Sequence, residues 1–165
     1  MKIFSSPVGP IQIKRVQVKY AASLFHAIAT SREQMATFLP WAKELTLKDE
    51  KDFLFREKDR HYHGQPLVFA IIVNSQPAGM LDLHQVNQKD ASAEIGYWLS
   101  FDYQNQGIIS QAVVEIQDYA FSKLKLTKLR LNIKPDNIAS QRVAEKTGFL
   151  QTTTDNEFII YEVNK

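Results

Sequence analysis

Residues 93–113 combine the residue types and the spacing that an anion-binding site needs. An apolar run at 95–99 leads into a polar loop at 104–107, and a helical pattern begins immediately afterwards. The first N–H groups of a helix have no partner within it, and the helix dipole adds partial positive charge there. Gly107 lacks the Cβ that would hold a phosphate away from the backbone. The pattern therefore predicts a phosphate site, although a purely structural turn explains the loop equally well.

The loop differs from the common nucleotide-binding motifs. No Gly-Lys-Ser/Thr follows it, and it contains one glycine where G-x-G-x-x-G needs three. Gln104 and Gln106 are polar but uncharged, which leaves room for an anionic ligand. The hydroxyl of Ser110, in the first helical turn, can reach a bound oxygen atom. These features favour an anion site of a less common type.

Two further side chains are candidates for acid–base chemistry. Glu94 opens an otherwise apolar strand pattern, so its carboxylate either faces solvent, which is the default, or faces a cleft as a base. Asn137 and Gly148 are explained as the start and the end of a helix. Helix propensity gives no reason for Ser140 inside that helix, which leaves its hydroxyl free for another role.

Composition excludes several classes of protein. The chain has 165 residues, 44% hydrophobic and 23% charged, which suits a single globular domain over residues 1–165. A net charge of +2 argues against direct nucleic-acid binding. The lack of cysteine excludes disulfides and a cysteine nucleophile, and His61 and His63 would point apart on a helix, so no metal site is expected. With no signal-peptide pattern and no apolar run near ~20 residues, we expect a cytoplasmic protein that makes no membrane contact.

Hydropathy patterning predicts the elements that position these residues. Period-two alternation and short apolar runs indicate strands, whereas apolar residues three and four apart indicate helices. Thr46 and Asp49 form a capping pattern at the start of a charged helix. Seven strands are predicted, at residues 11–16, 67–73, 78–86, 93–100, 128–134, 149–153 and 158–163. Helices are predicted at 18–29, at 31–38, from 46 to about 62, over four turns after Gly107, and at 137–147.

The order of these elements predicts the fold class. The strand–helix–strand connection over residues 93–134 requires a crossover, and a crossover joins parallel strands. The strands before it are joined by short turns and are expected to pair antiparallel. The chain is therefore expected to form an α/β (α+β) mixed sheet with helices on both faces.

Three sequence blocks resemble one known family. They are E-I-G-Y-W-L, Q-x-x-G-I-I-S-Q-A and N-I-A-S-Q-R-V-A-E-K-x-G-F, in this order within residues 91–150. Together with R-E-x-x-x-x-F-L-P-W at residues 32–41, they resemble the RimJ/RimL branch of the GNAT acetyltransferases, the ribosomal-protein N-acetyltransferase type. The resemblance implies the GNAT fold, a mixed central sheet of about seven strands with a splayed parallel pair.

The resemblance also implies an acetyl-CoA-dependent N-acetyltransferase without a metal. The pantetheine arm would enter the gap between the splayed strands, and the loop N–H groups would hold the pyrophosphate. Asn137 would bind the cofactor arm, Ser140 would lie near the sulfur as an acid for the thiolate, and Glu94 would be the base, acting through a water or directly. The implied cofactor-binding residues are Tyr97, Trp98, Leu99, Gln104, Asn105, Gln106, Gly107, Ile108, Ile109, Ser110, Asn137 and Ser140.

The sequence departs from the family pattern at a few positions. Asn105 stands where a glycine is common, which predicts a less permissive loop, and Ile109 occupies the last position of the loop motif. The tail after Gly148 is shorter than the C-terminal hairpin of some relatives. Glu157 is the nearest match to the acidic residue of that hairpin, and we assign it no role.

The acceptor stays open at the level of the sequence. A protein N-terminal α-amine is favoured, because an α-amine is partly neutral near pH 7 and needs less help from a base than lysine does. A small amine such as a polyamine, an amino sugar or an amino acid is the alternative in the same class. A non-catalytic acyl-CoA-binding regulator and a nucleotide-binding module are alternatives from other classes. Residues 31–55 are expected to wall the acceptor cleft, and a homodimer is compatible with the family but indicated by no segment.

Overall fold

The computed structural model describes residues 3–60 and 66–165, which form a mixed sheet with helices on both faces. Its strands are β1 (Ile3–Ser6), β2 (Gly9–Arg15), β3 (Leu67–Val73), β4 (Gln76–Asn87), β5 (Ser92–Leu99), β6 (Lys128–Ile133), β7 (Leu150–Thr154) and β8 (Ile159–Asn164). Its α-helices are α1 (Ala21–Thr30), α2 (Arg32–Ala36), α3 (Leu47–Glu57), α4 (Ile108–Ser122) and α5 (Ile138–Lys146). Short 3₁₀ turns lie at Val18–Tyr20, Pro40–Lys43 and Phe101–Tyr103.

The strands form one sheet in the order β1-β2-β3-β4-β5-β6-β8-β7. Every neighbouring pair is antiparallel except β5 and β6, which are parallel and joined through α4. The predicted mixed sheet and its single parallel pair are thereby confirmed. The sheet has eight strands among the described residues, and not the seven that the sequence predicted.

The missed strand is β1, and its pairing explains why. It has four residues and pairs with β2 from Ile3↔Gln12 to Ser6↔Gly9 across a hairpin. Its sequence, Ile-Phe-Ser-Ser, has neither a long apolar run nor an alternation of apolar and polar residues. None of its four residues is fully buried. A strand this short forms because β2 supplies its partner, which a local pattern does not reveal.

Alternation along the strands divides the core between the two faces of the sheet. One face packs on α4 and α5 through a cluster that includes Leu81, Ile95 and Leu131. The opposite face packs on α1, α2 and α3 through a cluster that includes Met80 and Trp98. The helices therefore cover both faces, as predicted.

The parallel strands separate after a short paired stretch. β5 pairs with β6 only at Ser92↔Lys128, Ala93↔Leu129 and Glu94↔Arg130. Beyond Glu94, β5 remains paired with β4 as far as Leu99, whereas β6 pairs with β8 as far as Ile133. One edge of β5 is thus free of strand pairing over its last residues, which confirms the splayed pair.

The charged helix α3 begins as predicted and ends earlier. Thr46 and Asp49 form a reciprocal capping box at its start. The helix ends at Glu57, and the predicted extension includes residues 61 and 62, which lie, with His63, outside the described residues. The Arg15 guanidinium donates to the carbonyl oxygens of Glu57 (3.2 Å) and Arg60 (2.6 Å), so β2 holds the end of this helix through a contact 42 residues distant in sequence.

Candidate active site

A cleft of about 490 Å³ lies at the gap between β5 and β6. Its lining comes from both sides of the sheet, since Met35 and Phe38 belong to the α2 side and Arg142 and Val143 to α5. Residues predicted to bind the cofactor line it at ten positions, Tyr97, Trp98, Leu99, Gln104, Asn105, Gly107, Ile109, Ser110, Asn137 and Ser140. The cleft thus joins the parted strands, the loop and the helix start that the sequence singled out.

The loop before α4 turns its backbone toward this cleft by means of two left-handed residues. Asn105 has φ +60° and Gly107 has φ +74°. A Cβ built on Gly107 would meet no protein atom within 4 Å, so glycine keeps open a space that a ligand can occupy. The first bond into the helix runs from the Gln111 N–H to the Gly107 carbonyl, at 3.1 Å. The three N–H groups of residues 108–110 come before it and have no partner within the helix.

Asn105 adopts a left-handed conformation at the loop position where the sequence predicted a backbone less permissive than glycine would give. Asparagine tolerates the left-handed region better than other residues with a Cβ, so it adopts the φ of +60° that the loop requires. The neighbouring glutamines brace the loop, because Gln104 Nε2 donates to the Leu99 carbonyl (3.3 Å) and Gln106 Nε2 to the Asp102 carbonyl (3.4 Å).

Two predicted cofactor-binding residues lie outside the main cleft. Gln106 lines an adjoining cleft of about 620 Å³, which also contacts Phe4 and Pro7 of the β1–β2 hairpin. Ile108 is 1% exposed and packs in the core under α4. Its side chain cannot touch a ligand in the cleft, and only its backbone N–H is available for that purpose.

At the start of α5, Asn137 acts as the helix cap that the sequence predicted. Its Oδ1 accepts a hydrogen bond from the Ser140 N–H at 3.2 Å, which leaves the Asn137 amide nitrogen free to face a ligand. The Ser140 side chain lines the cleft near the Tyr97 hydroxyl, which is buried and makes no well-formed hydrogen bond within the described residues. Burial raises the pKa of Tyr97 to about 12, against a smaller opposing effect of Ser140. Tyr97 therefore stays neutral near pH 7.

The cleft also contains two cations that the sequence analysis missed. Arg142 and Lys146 lie one turn apart on α5, and Lys146 lines the adjoining cleft as well. Their spacing of four residues, which places side chains on one helix face, was a signal that could have found them. They add positive charge beside the unpartnered N–H groups of the loop, which favours an anionic ligand.

Glu94 lies apart from the cleft lining, in a row of polar side chains that crosses three strands. We call Asp82, His84, Glu94 and Asn132 the polar row. Asn132 Nδ2 donates to Glu94 Oε2 at 3.0 Å, and His84 Nε2 lies 3.4 Å from the same oxygen. Nδ1 of His84 lies 2.5 Å from Asp82 Oδ1. The Glu94 side chain is 21% exposed, so it is not a freely solvated carboxylate.

The polar row begins where the parallel strands part. Glu94 belongs to the last β5–β6 pair and lies on the same face of β5 as Trp98, about 13 Å further along the strand. Gly96 lies between them, and a Cβ there would lie 2.7 Å from Asp82 Oδ2. The glycine therefore makes room for the Asp82 carboxylate over the backbone of β5.

The environment of His84 favours its charged form. The hydrogen bond to Asp82 raises the pKa of His84, partial burial opposes the shift, and the charges of Asp82 and Glu94 add to it. Asp82 and His84 carry no signal in the sequence, because only the β4–β5 register, with Asp82↔Gly96 and His84↔Glu94, brings them to Glu94.

Part of the segment predicted to wall the acceptor cleft, residues 31–55, lines one side of this cleft. Gln34, Met35, Phe38 and Leu39 line it. The Phe101 N–H donates to the buried Ser31 hydroxyl at 2.9 Å, which ties this segment to the loop after β5. Arg32 donates to the carbonyl oxygens of Ala42, Lys43 and Leu45, which explains why an arginine begins the R-E-x-x-x-x-F-L-P-W block.

Neither a metal site nor a membrane span emerges from residues 3–60 and 66–165. No group of three or more histidine and acidic side chains in these ranges could hold a metal ion. No helix among them is both long enough and apolar enough to cross a bilayer.

Comparison with known proteins identifies relatives of this site and of the whole fold. Residues 11–150 match the family described as the acetyltransferase (GNAT) domain. The ribosomal-protein-serine acetyltransferase of Escherichia coli is 24% identical over 85% of this chain and 79% of that protein. A spermidine N(1)-acetyltransferase of Escherichia coli is 30% identical over 55% of this chain and 50% of its own length. Mycobacterium smegmatis RimJ, solved in complex with CoA-disulfide, superposes with a TM-score of 0.87 over 99% of this chain and 86% of that chain, and at 19% identity it shows the same fold.

Proposed function

The chain belongs to the GNAT acetyltransferase family, and we propose that it transfers the acetyl group of acetyl-CoA to the α-amine of a protein N-terminus. The observation that carries the proposal is the cleft through the parted strands, because its lining comes from both faces of the sheet. Two substrates can then meet from opposite sides. The name of the Escherichia coli ribosomal-protein-serine acetyltransferase supports a protein acceptor.

In this proposal the backbone binds acetyl-CoA. The free edge of β5 at residues 97–99 accepts the pantetheine arm as a neighbouring strand would be accepted. The N–H groups of residues 108–110 bind the diphosphate, with Arg142 and Lys146 as counter-charges. The open space at Gly107 fits this assignment, since a side chain there would stand where the phosphate lies.

The chemistry is direct attack of the amine on the thioester. The chain contains no cysteine, so no thiol is available for an acyl-enzyme. An α-amine is about a tenth neutral at pH 7, and Glu94, acting through water, accepts the proton of the ammonium form. The C–N bond forms, the C–S bond breaks, and the Ser140 hydroxyl protonates the departing thiolate. The second proton lost by the attacking nitrogen restores that hydroxyl. An N–H on the free edge of β5 stabilises the oxyanion, worth about 3–4 kcal/mol by analogy with other oxyanion holes.

A polyamine is the second candidate acceptor. Two carboxylates, Asp82 and Glu94, lie on the side of the sheet from which the acceptor would arrive, and they would attract a polycation. The likeness to a spermidine N(1)-acetyltransferase points in the same direction over about half of the chain. The choice between the two acceptors is therefore part of the test.

The test has two stages. Acetyl-CoA, CoA and ATP are first compared in thermal unfolding, where a ligand at 100 times its Kd adds about 2.7 kcal/mol to stability. We expect acetyl-CoA and free CoA to stabilise the protein against thermal unfolding and ATP to have little effect. Thiol release is then measured with a peptide bearing a free N-terminus, the same peptide N-terminally blocked with a free lysine, and spermidine.

Each outcome of the second stage has a defined meaning. Turnover of the free N-terminus alone supports the proposal, and preferential turnover of spermidine replaces it with the polyamine alternative. CoA binding without turnover of any acceptor would indicate a non-catalytic acyl-CoA-binding protein. Stabilisation by ATP in preference to CoA would overturn the assignment of the cleft.

A further inference from the structure

We propose that His84 is a positioning residue that shares one exchangeable proton with Glu94 and relays the proton of the acceptor amine to solvent. The inference rests on the proposed function, because it gives His84 a part in deprotonating that amine. It extends the site to β4, a strand that contributes nothing to the lining of the cleft.

The contacts of the two imidazole nitrogens carry the argument. Nδ1 of His84 lies 2.5 Å from Asp82 Oδ1, and a carboxylate accepts, so Nδ1 carries a hydrogen. Nε2 then lies 3.4 Å from Glu94 Oε2. Without a further proton both atoms are acceptors and would repel each other, so either Nε2 or the carboxylate has to be protonated. The His84–Glu94 pair therefore binds one proton, and it becomes a base when that proton leaves.

The backbone is built to hold His84 in this position. His84↔Glu94 is the last regular pair of β4 with β5 before a bulge, and Gln85 directly after it is left-handed, with φ +47°. Bulges redirect side chains and are frequent beside active sites. On the other side, Gly96 leaves the space that the Asp82 carboxylate occupies. The sheet thus fixes both partners of the ring.

The proton path balances without any other reactant. The N–H bond of the ammonium breaks, and its proton passes to Glu94, through a water or directly. It moves from Glu94 to His84 Nε2, and it leaves to solvent from the imidazole, whose side chain is 38% exposed. The neutral amine then forms the C–N bond, the C–S bond breaks, and the Ser140 hydroxyl gives its proton to the departing thiolate. The second proton lost by the attacking nitrogen restores the Ser140 hydroxyl, so one proton in total leaves to solvent.

The charges around His84 set the direction of the pH dependence. Two charged groups of the described residues act on it, Asp82 on its own strand and Glu94 on β5, while Asn132 of β6 is neutral. The hydrogen bond and the charge of Asp82 raise the pKa of His84. Since the relay needs the neutral imidazole, kcat rises as the pH rises through this pKa.

The first variant removes the relay. His84→Gln is expected to lower kcat about 10- to 100-fold and to leave the KM for acetyl-CoA unchanged. The loss is at or below the lower end of the roughly 10²–10⁴-fold range of a general base, because Glu94 remains in place. His26→Gln is the matched control, since His26 is an exposed histidine of α1 outside the polar row, and it should match wild type. All variants are compared on one acceptor peptide, so ionisation of the acceptor is common to them.

The second variant separates a relay from a structural role. Asp82→Asn removes the charge that raises the pKa of His84, so the acidic limb of the kcat profile should move to lower pH. If His84 has only a structural role, Asp82→Asn should instead lower kcat by the same factor at every pH. An unshifted limb in Asp82→Asn, or wild-type kcat in His84→Gln, overturns the inference.

The proposed function is tested separately in the same experiment. If the wild type turns over but the acidic limb of the kcat profile does not shift in Asp82→Asn, only the role of His84 is overturned. CoA-dependent thermal stabilisation without turnover in wild type removes the proposed function itself, and the relay with it.

Discussion

The two faces of the sheet contribute different kinds of chemistry to the site. On the α4–α5 face the first turn of α4 has no acidic or basic side chain, and the groups proposed to bind the diphosphate are the N–H groups that follow Gly107, with Arg142 and Lys146 of α5 beside them. On the α1–α3 face the polar row supplies ionisable side chains held across strands, and α3 buries Glu50 as well. In the proposed function, one face therefore binds CoA mainly through its backbone conformation, and the other supplies the reacting side chains through cross-strand register.

The largest expected effect tests the reactive face. Glu94→Gln should lower kcat at least about 100-fold, because a general base typically contributes 10²–10⁴-fold, while the amide can still accept from Asn132. The Kd for CoA should be unchanged, since Glu94 does not line the cleft proposed to bind that ligand. Steady-state kinetics and calorimetric titration with CoA measure the two quantities.

Glu162→Gln is the control for that prediction. Glu162 lies across from Arg130 in the β6–β8 pairing and forms an ion pair with it at 2.7 Å, outside the polar row. Its loss should leave kcat near the wild-type value. Equal losses of kcat in both variants would mean that the face needs its charges for structure and that Glu94 has no special part in the reaction.

This contrast also explains which parts of the molecule the sequence predicts. The loop before α4 is local, since a strand, a polar loop, Gly107 and a helix start follow one another within 20 residues, and the structure places these elements as expected. The capping box of α3 and the cap at Asn137 are local as well and were also predicted. Residues adjacent in sequence interact through the backbone, so their pattern shows the geometry.

The parts that could not be predicted depend on distant partners. Asp82 and His84 meet Glu94 only through the β4–β5 register, and the bulge after His84 has no clear signature in the sequence. The strand β1 exists through its pairing with β2, and the end of α3 is held by Arg15. Such contacts depend on the tertiary fold, and hydropathy periods carry no information about them.

The next prediction concerns a carboxylate on the reactive face that lies outside the row. Glu50 is 1% exposed, and its Oε1 has no hydrogen-bond partner within the described residues. Burial raises the pKa of Glu50 from 4.5 to about 7. The folded state therefore keeps the proton that the unfolded chain loses, and stability falls as the pH rises from 4.5 to 7.

Glu50→Gln should remove this loss. The gain in the free energy of unfolding over wild type should be small at pH 5 and approach about 3 kcal/mol at pH 8, the equivalent of the shift in pKa. Urea unfolding at the two pH values measures it, with exposed Glu44→Gln as the control. A gain that is the same at both pH values would mean that Glu50 does not titrate, and kcat should not change in either case.

The smallest expected effect tests the binding face and has a matched control in the chain. Gly107 (φ +74°) and Gly148 (φ +85°) are both left-handed, and a Cβ on either meets no protein atom within 4 Å. Alanine at each position should therefore cost about 1–2 kcal/mol of stability through backbone strain alone. Gly148 follows α5 and does not line the cleft, so only Gly107→Ala should also weaken CoA, by about tenfold if one phosphate hydrogen bond is lost. If both variants lose the same stability and bind CoA as wild type does, the diphosphate is not held at residues 108–110. The proposal that the α4–α5 face binds CoA through its backbone is then wrong.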